Sequence, residues 1–203
     1  MKTVRRNCQY CKILTAKPIP PMMAVLPPCR IIPYCKPFTY TGTDYFGPFS
    51  VSIGRRVEKR WRCLFTCMTT RAVYLELAQD MSSDSFIICF RNLEYRRGKV
   101  QELSSDNGTN FIGPKNGFDK MHRRLSDDGV KWHFNPPTSP HFGGVWERIV
   151  KEVKSLLPHG QETMPEYELR TVLTEIEFLI NNRPLTHIPL ETMFLKQKQP
   201  VNI

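Results

Sequence analysis

Residues 38–78 of the chain read "FTYTGTDYFGPFSVSIGRRVEKRWRCLFTCMTTRAVYLELA" and contain three stretches rich in aromatic and β-branched residues. The first stretch alternates in polarity and is predicted to be a strand that ends near Gly47-Pro48. Residues 58–70 and 71–78 are predicted as two further strands, joined by a short turn. Three strands in direct succession indicate an antiparallel meander.

Helices and strands alternate after this meander. Residues 83–97 follow a serine cap, carry apolar side chains at helical spacing and end before Gly98, which predicts a helix. A strand (99–106), a helix (113–125), a strand (130–136) and two helices (142–157 and 165–182) follow. The last helix begins with Thr163 and Glu166 at capping-box spacing. This order resembles an α/β ribonuclease-H-like domain, whose mixed sheet of an antiparallel meander plus parallel strands is flanked by helices.

Prolines divide the chain into unequal parts. Seven of the 17 prolines lie within residues 18–37, a density that excludes a helix there. We therefore expect residues 12–37 to be an extended Pro-rich linker. It would separate residues 1–11 from a main domain that spans residues 38–190, and residues 191–203 would form a tail.

The composition favours a polyanionic partner. The chain carries a formal net charge of +10, from 29 Lys and Arg against 19 Asp and Glu, and such an excess is typical of nucleic-acid-binding proteins. Any single basic cluster is equally consistent with a solvated surface, so only their sum favours nucleic acid. No apolar run approaches the roughly 18 residues that span a bilayer, and no secretory signal is present, which predicts a soluble intracellular protein without a membrane partner. The seven cysteines are expected to be reduced, buried or metal-bound.

Helical spacing over residues 142–157 separates two faces. The apolar face consists of Val145, Ile149, Val153 and Leu156, with Trp146 at its margin. The opposite face carries Glu147, Lys151 and Lys154 and is predicted to point outward, because the apolar face must pack. A Glu-Lys pair on such a face is a common surface feature. It is also an arrangement that can hold a metal ion and then the phosphates beside it.

The segment "LSSDNGTNF", residues 103–111, runs from a short strand into a turn. Asp and Asn bond their own backbone in turns and Gly accepts positive φ, so turn chemistry alone accounts for Asp106. The alternative is that Asp106 is a metal ligand held at the end of a core strand. The residues leave both explanations open.

Five motifs, in order, resemble the integrase core of a retroelement, and most closely the integrases of BEL/Pao-class long-terminal-repeat retrotransposons. They are "PFTYTGTDYFGPF", "TTRAVYLELAQDMSSDSFIICFRNLEYRRG", "LSSDNGTNFIG", "WHFNPPTSPHFGGVWERIVKEVK" and "NNRPLTH". The resemblance implies a catalytic triad of Asp44, Asp106 and Glu147 that holds two Mg²⁺ or Mn²⁺ ions roughly 3.5–4 Å apart. Asp44 would bridge both ions, Asp106 would bind one, and Glu147 would complete the second.

The same resemblance implies a reaction on DNA. With water as the attacking group the reaction is 3′-end processing of the element's DNA, and with a DNA 3′-hydroxyl it is strand transfer. Lys151 and Lys154 match positions that hold DNA ends, while Asn107 and Asn110 are expected to touch DNA or to orient Asp106. A homo-oligomer acting in the nucleus, or in a cytoplasmic particle beforehand, is implied.

Tyr45 and His141 are further candidates for the site. A buried aromatic side chain and a loop histidine are the preferred interpretations of these two residues.

Cys8 and Cys11 form a C-x-x-C pair, which supplies half of a tetrahedral zinc site. In the resembled family two histidines precede such a pair, and none does so here, so residues 1–11 are interpreted as the remnant of an N-terminal H2C2 zinc-binding domain. Zn²⁺ is expected only if those histidines are present. Cys29 and Cys35 have poor spacing for completing a Cys₄ site. The tail at 191–203 is expected to lead to a C-terminal domain that is missing from the chain.

Two other functions fit the sequence. The chain could be a catalytically inactive, DNA-binding or dimerising remnant of an element integrase, because the presence of ligand residues does not prove catalysis. It could also be a separate nuclease of the same fold, which the DNA-end motifs disfavour.

Overall fold

The computed structural model describes residues 8–16, 26–106, 115–134, 140–157 and 163–184. A helix, α1 (Gln9–Thr15), and a 3₁₀ turn (Pro28–Arg30) precede the main elements. These are β1 (Tyr40–Ile53), β2 (Arg56–Cys67), β3 (Val73–Ala78), α2 (Ser83–Arg97), β4 (Glu102–Ser105), α3 (Lys115–Asp127), β5 (Lys131–Phe134), α4 (Pro140–Leu156), β6 (Met164–Pro165) and α5 (Glu166–Asn181).

One mixed sheet organises the chain, with strand order β3-β2-β1-β4-β5 and β6 paired to the far end of β1. The first three strands are antiparallel, whereas β4 and β5 run parallel to β1. The predicted α/β class and the meander followed by parallel strands are therefore confirmed. The long strand β1 lies at the centre, where it borders both the antiparallel and the parallel parts.

Helices cover both faces of this sheet. Helices α2 and α3 pack on one face, over a cluster of aromatic side chains that includes Phe65, Phe86 and Trp132. Helices α4 and α5 pack on the other, where Trp146 and Leu169 are buried against β1 and β2. No helix in the described ranges combines the length and apolar character needed to cross a bilayer.

Local signals succeed for α2 and fail at two other element ends. The Ser82 hydroxyl accepts a hydrogen bond from the Ser85 amide, and Gly98 ends α2 with φ 101°. The predicted end of the first strand at Gly47-Pro48 is wrong, because a register shift between Phe46 and Phe49 absorbs both residues and β1 continues to Ile53.

The capping box predicted at Thr163 is also wrong. Pro165 occupies the N-cap of α5, and the Glu166 carboxylate instead accepts a hydrogen bond of 2.9 Å from Arg60 on β2.

At the other end of the chain, α1 continues past residue 12, where the linker was predicted to begin. The division into remnant, linker, core and tail stays a prediction.

Candidate active site

Asp44 and Asp106 come together through the parallel pairing of β1 and β4. Thr43 of β1 is the register partner of Ser105, the last residue of β4. Asp44 follows Thr43 on β1, and Asp106 follows Ser105 directly after β4. Neighbouring strands lie about 4.8 Å apart, so the fold brings two carboxylates to the same end of the sheet.

Glu147 is brought to the same region by the packing of α4. Side chains alternate along a strand, so Gly42 and Asp44 share one face of β1. The Trp146 ring lies directly over Gly42, since a Cβ at Gly42 would be only 2.4 Å from the ring atom Cε3. Trp146 is fully buried, while the adjacent Glu147 is exposed. The contact between Gly42 and Trp146 therefore sets where Glu147 lies relative to Asp44.

The electrostatics of Asp44 show the proximity of these groups. Burial raises the pKa of the Asp44 carboxyl to about 6. The Tyr45 amide, which donates a hydrogen bond of 2.8 Å to Asp44, lowers this pKa, as does the Lys154 ammonium. The negative charges of Asp106 and Glu147 raise it. The Asp44 carboxyl is thus partly buried and is repelled by two other acids, while the charge of Lys154 attracts it.

The pKa of Asp44 provides a direct test of this arrangement. We expect its carboxyl to titrate near pH 6 in metal-free protein, followed by the carboxyl ¹³C chemical shift. Glu147→Gln should lower this pKa, because a repelling charge is removed, and Lys154→Gln should raise it. Glu175→Gln, a matched change at an exposed position of α5, should leave it unchanged. A titration of Asp44 that responds equally to all three substitutions would contradict the arrangement.

The three carboxylates suit a hard divalent cation in donor type and in charge. Asp44, Asp106 and Glu147 offer oxygen ligands, and their mutual repulsion is the feature that a bound cation would relieve. Within the described part of the chain, however, no three carboxylate, imidazole or thiol groups converge closely enough to enclose a metal ion. The three carboxylates therefore have the ligand type and charge of a metal site. They lie near one another, but they do not converge on one point as metal ligands do.

The other candidate residues differ in placement. Lys151 and Lys154 are both exposed on α4, as predicted, and Lys154 also lies 5.9 Å from the centre of the Phe46 ring. Asn107 and Asn110 lie outside the described residues. His141 lies in the first turn of α4, so the prediction of a loop histidine is wrong, and its side chain is outside the described part of the chain. Tyr45 is a buried aromatic, as preferred, and its ring lies 6.0 Å from that of Phe86 on the face opposite α4.

Two details of α4 differ from the prediction. Trp146, placed at the margin of the apolar face, is fully buried at its centre. Leu156, placed on that face, is 44% exposed, and Leu157 is buried instead. The spacing within α4 does not show the contact with Gly42. Because Gly42 has no side chain, the Trp146 ring can lie directly on the sheet.

None of the seven cysteines forms a disulfide bond. Cys63, Cys67 and Cys89 are buried, and the other four are partly exposed. The amide and side chain of Cys11 both hydrogen-bond to Cys8 and lower its pKa, so this C-x-x-C pair is close together at the start of α1. Cys35 instead lies 3.3 Å from the Thr69 hydroxyl, and no cluster of three metal-ligating side chains forms among the described residues. The zinc site of the N-terminal remnant stays a prediction.

Arg62 is a neighbouring residue that sequence reasoning missed. Its guanidinium lies 3.2 Å from the centre of the Phe49 ring, and burial lowers its pKa to about 10. It faces the α4 side of the sheet because its register partner is Phe46, two residues after Asp44. No sequence pattern marks it, because Arg62 lies within a predicted strand whose basic residues looked like a solvated cluster.

No family model matches the chain, and no curated protein matches it in sequence. Among solved structures, the chain is similar to the simian T-cell lymphotropic virus intasome in complex with PP2A regulatory subunit B56 gamma (TM-score 0.55, 14% identity, covering 98% of this chain and 66% of that one). It is also similar to the HTLV-2 integrase catalytic core in complex with magnesium (TM-score 0.51, 15% identity, covering 76% and 92%).

The catalytic core of BIV integrase is a third similar structure, with a TM-score of 0.51, 19% identity, and coverage of 79% of this chain and 96% of that one. Sequence identity is low in all three comparisons, so the likeness is one of fold. The chain has the ribonuclease-H-like fold of retroviral integrase catalytic cores.

Proposed function

We propose that this chain is the catalytic core of a retroelement integrase, a metal-dependent polynucleotidyl transferase that processes DNA 3′ ends and joins them to target DNA. One observation supports this proposal most strongly. On a fold shared with integrase cores, the partly buried Asp44 carboxyl is repelled by both Asp106 and Glu147. Three acidic side chains are thereby gathered near one end of the sheet.

In this proposal Asp44, Asp106 and Glu147 hold Mg²⁺ or Mn²⁺. Two such ions, when bound, activate the attacking oxygen and stabilise the leaving oxygen of an in-line phosphoryl transfer. Asp44 lies on the central strand β1 and Asp106 directly follows the neighbouring strand β4, whereas Glu147 is presented by α4. The pKa of Asp44 near 6 implies that its carboxyl is ionised and able to bind a cation at neutral pH.

The lysines of α4 are proposed to hold the DNA. Lys154 lies near Asp44 and is exposed, so its ammonium can pair with a phosphate next to the reacting bond. Lys151 lies one turn earlier on the same exposed face and would hold a neighbouring phosphate. Asn107 and Asn110 follow Asp106 directly in sequence, and we propose that they contact the same DNA or orient Asp106.

The biological setting is proposed from the resemblance and the similar structures. The motifs favour a BEL/Pao-class retrotransposon, and chromosomal DNA as the target places the protein in the nucleus. The HTLV-2 core is a complex with magnesium and was solved in dimeric and trimeric forms. The simian virus protein was solved as an intasome. We propose that this chain likewise acts as a homo-oligomer with magnesium or manganese.

The proposal is tested by incubating the chain with labelled DNA that carries the element's ends, in the presence of Mn²⁺ or of EDTA. We expect cleavage and strand transfer by the wild-type chain with Mn²⁺ only. Glu147→Gln should lower both activities more than about a hundredfold, since even supporting residues of metal sites contribute 10- to 100-fold. Glu175→Gln is the matched control on α5.

Each other outcome identifies a different function. Equal activity of wild type and Glu147→Gln, or activity in EDTA, would overturn the three-carboxylate mechanism. Binding of DNA without any cleavage would favour the inactive remnant. Metal-dependent cleavage of any DNA without strand transfer would favour the separate nuclease.

A further inference from the structure

Four arginines from separate parts of the chain line one cavity of about 430 Å³ beside α4. They are Arg30 at the end of the 3₁₀ turn, Arg71 before β3, Arg148 on α4 and Arg183 after α5. Among the described residues that line the same cavity, Glu152 is the acidic one. We call this site the arginine cavity.

The charges of the arginine cavity do not balance. Glu152 forms an ion pair with Arg183 and a longer one, of 3.6 Å, with Arg148. Burial lowers the pKa of Arg71, and the positive charges of Arg30 and Arg183 lower it further, so these cations lie close enough to repel one another. Even without Arg30, the described lining holds three guanidinium groups, of Arg71, Arg148 and Arg183, against the one carboxylate of Glu152. This excess of positive charge is one that an anion would neutralise.

The cavity is open to a ligand from solvent. The Arg148 side chain is 84% exposed, and that of Glu152 is 36% exposed. Guanidinium groups are planar donors whose paired N–H groups match the oxygens of phosphate and carboxylate. A cluster of several arginines therefore indicates a phosphate or another oxyanion.

The position of the cavity on α4 favours a phosphate of DNA. Arg148 follows Glu147 directly, so the two side chains lie about 100° apart around the helix, on adjoining faces. An α-helix with its side chains is about 10–12 Å across. A DNA strand that reaches the Asp44 site can therefore place a further phosphate, a few nucleotides away, in the arginine cavity.

We propose that the arginine cavity binds a phosphodiester group of the DNA outside the reacting bond. The identity of this anion rests on the proposed function, whereas the requirement for an oxyanion rests on the cavity alone. Such a contact would position the DNA without reading its sequence.

The test compares two double variants of the full chain. Arg30→Gln/Arg148→Gln removes two charges from the cavity. Arg55→Gln/Arg56→Gln removes two exposed charges, one in the turn after β1 and one at the first residue of β2. Binding to a fluorescent DNA duplex is measured by anisotropy in EDTA over a series of salt concentrations. We expect the cavity variant to bind about tenfold more weakly and to reduce the salt slope by about one, the value for the loss of one phosphate contact.

A variant of opposite sign separates ligand binding from a structural role. Glu152→Gln removes the carboxylate that competes with a phosphate, so it should bind DNA more tightly than the wild type. A purely structural Glu152 would give weaker or unchanged binding after its substitution. Unfolding temperatures of all variants establish that each is folded, and Arg148→Gln alone, at a mostly exposed position, repeats the test with a minimal change.

Equal affinity and salt slope in the two double variants would overturn the inference. A second outcome would also overturn it: inorganic phosphate binds the wild type but not the cavity variant, while both proteins bind DNA equally. The cavity would then be a site for free phosphate and not for DNA. These outcomes differ from failure of the proposed function, which is loss of metal-dependent cleavage. A chain that fails to cleave DNA but loses affinity in the cavity variant would support the inference and contradict the proposed function.

Discussion

Replacing Asp44 with asparagine is expected to reduce metal-dependent DNA cleavage about a thousandfold, while it makes the metal-free protein more stable at neutral pH. The loss of activity follows from the proposed role of Asp44 in holding both cations, since metal ions supply several kcal/mol of transition-state stabilisation. Asparagine keeps the shape of the side chain and one oxygen, but it does not carry the negative charge. The gain in stability has a separate cause.

The gain in stability follows from the raised pKa of Asp44. Its pKa is about 6 in the folded chain against an ordinary value of 3.8, so the folded state binds this proton more tightly than the unfolded state does. Protonated Asp44 therefore favours folding below about pH 4, and this contribution is lost as the pH rises through 6. At pH 7 the ionised, mostly buried carboxyl costs about 2–3 kcal/mol, which Asp44→Asn would remove.

Chemical unfolding in EDTA at pH 4, 5, 6 and 7 measures this effect. The difference in unfolding free energy between Asp44→Asn and the wild type should be small at pH 4 and should grow in favour of the variant up to pH 7. Asp119→Asn, a matched change at an exposed position of α3, should show no such trend. Added Mn²⁺ should raise the unfolding temperature of the wild type more than that of Asp44→Asn. A variant less stable than the wild type at every pH would contradict the electrostatic account of Asp44.

The two aspartates illustrate what sequence alone predicts well. Asp44 and Asp106 lie in recognisable motifs on a predicted strand and at a strand end, and the parallel register of β1 and β4 then makes them neighbours. A residue type that favours turns and a role as metal ligand are compatible at Asp106, because Asp106 directly follows the last residue of β4. Local sequence patterns are enough to predict that two residues are neighbours when a single pairing of strands brings them together.

Contacts between distant parts of the chain explain what was missed. The Glu166 carboxylate was expected to cap its own helix, but Arg60 of β2, which is close only in the folded chain, is its partner. The four arginines of the arginine cavity come from four separate parts of the chain, so no spacing in the sequence connects them. Trp146 was predicted at the margin of the apolar face. It is fully buried because Gly42, about a hundred residues earlier, leaves room for its ring.

Adding a single methyl group at Gly42 is expected to disturb the whole site. In Gly42→Ala the new Cβ would lie 2.4 and 2.7 Å from Cε3 and Cζ3 of Trp146, and 3.2 Å from Sδ of Met68. The Trp146 ring is fully buried, and buried side chains are closely packed. Either β1 or α4 must shift, and overpacking of this kind costs about 1–3 kcal/mol of stability.

The same shift moves the residue next to Trp146. Glu147 would be displaced relative to Asp44 and Asp106, and a misplacement of about 1 Å can lower a rate about a hundredfold. Gly42→Ala should therefore lose both stability and cleavage, although Gly42 itself carries no reactive group. Gly144→Ala is the control for stability, because a Cβ there meets no atom within 4 Å. Removing a glycine from the helix should stabilise the chain by about 0.5–1 kcal/mol.

A double-mutant cycle with Trp146→Leu identifies the contact responsible. Trp146→Leu alone should destabilise the chain by leaving a cavity over Gly42. In the double variant the smaller leucine makes room for the alanine methyl group, so the loss of stability should be less than the sum of the two single losses. Strictly additive losses would show that Gly42→Ala acts through another neighbour. Because packing and position are coupled at this contact, the stability that the cycle recovers should be accompanied by partial recovery of DNA cleavage.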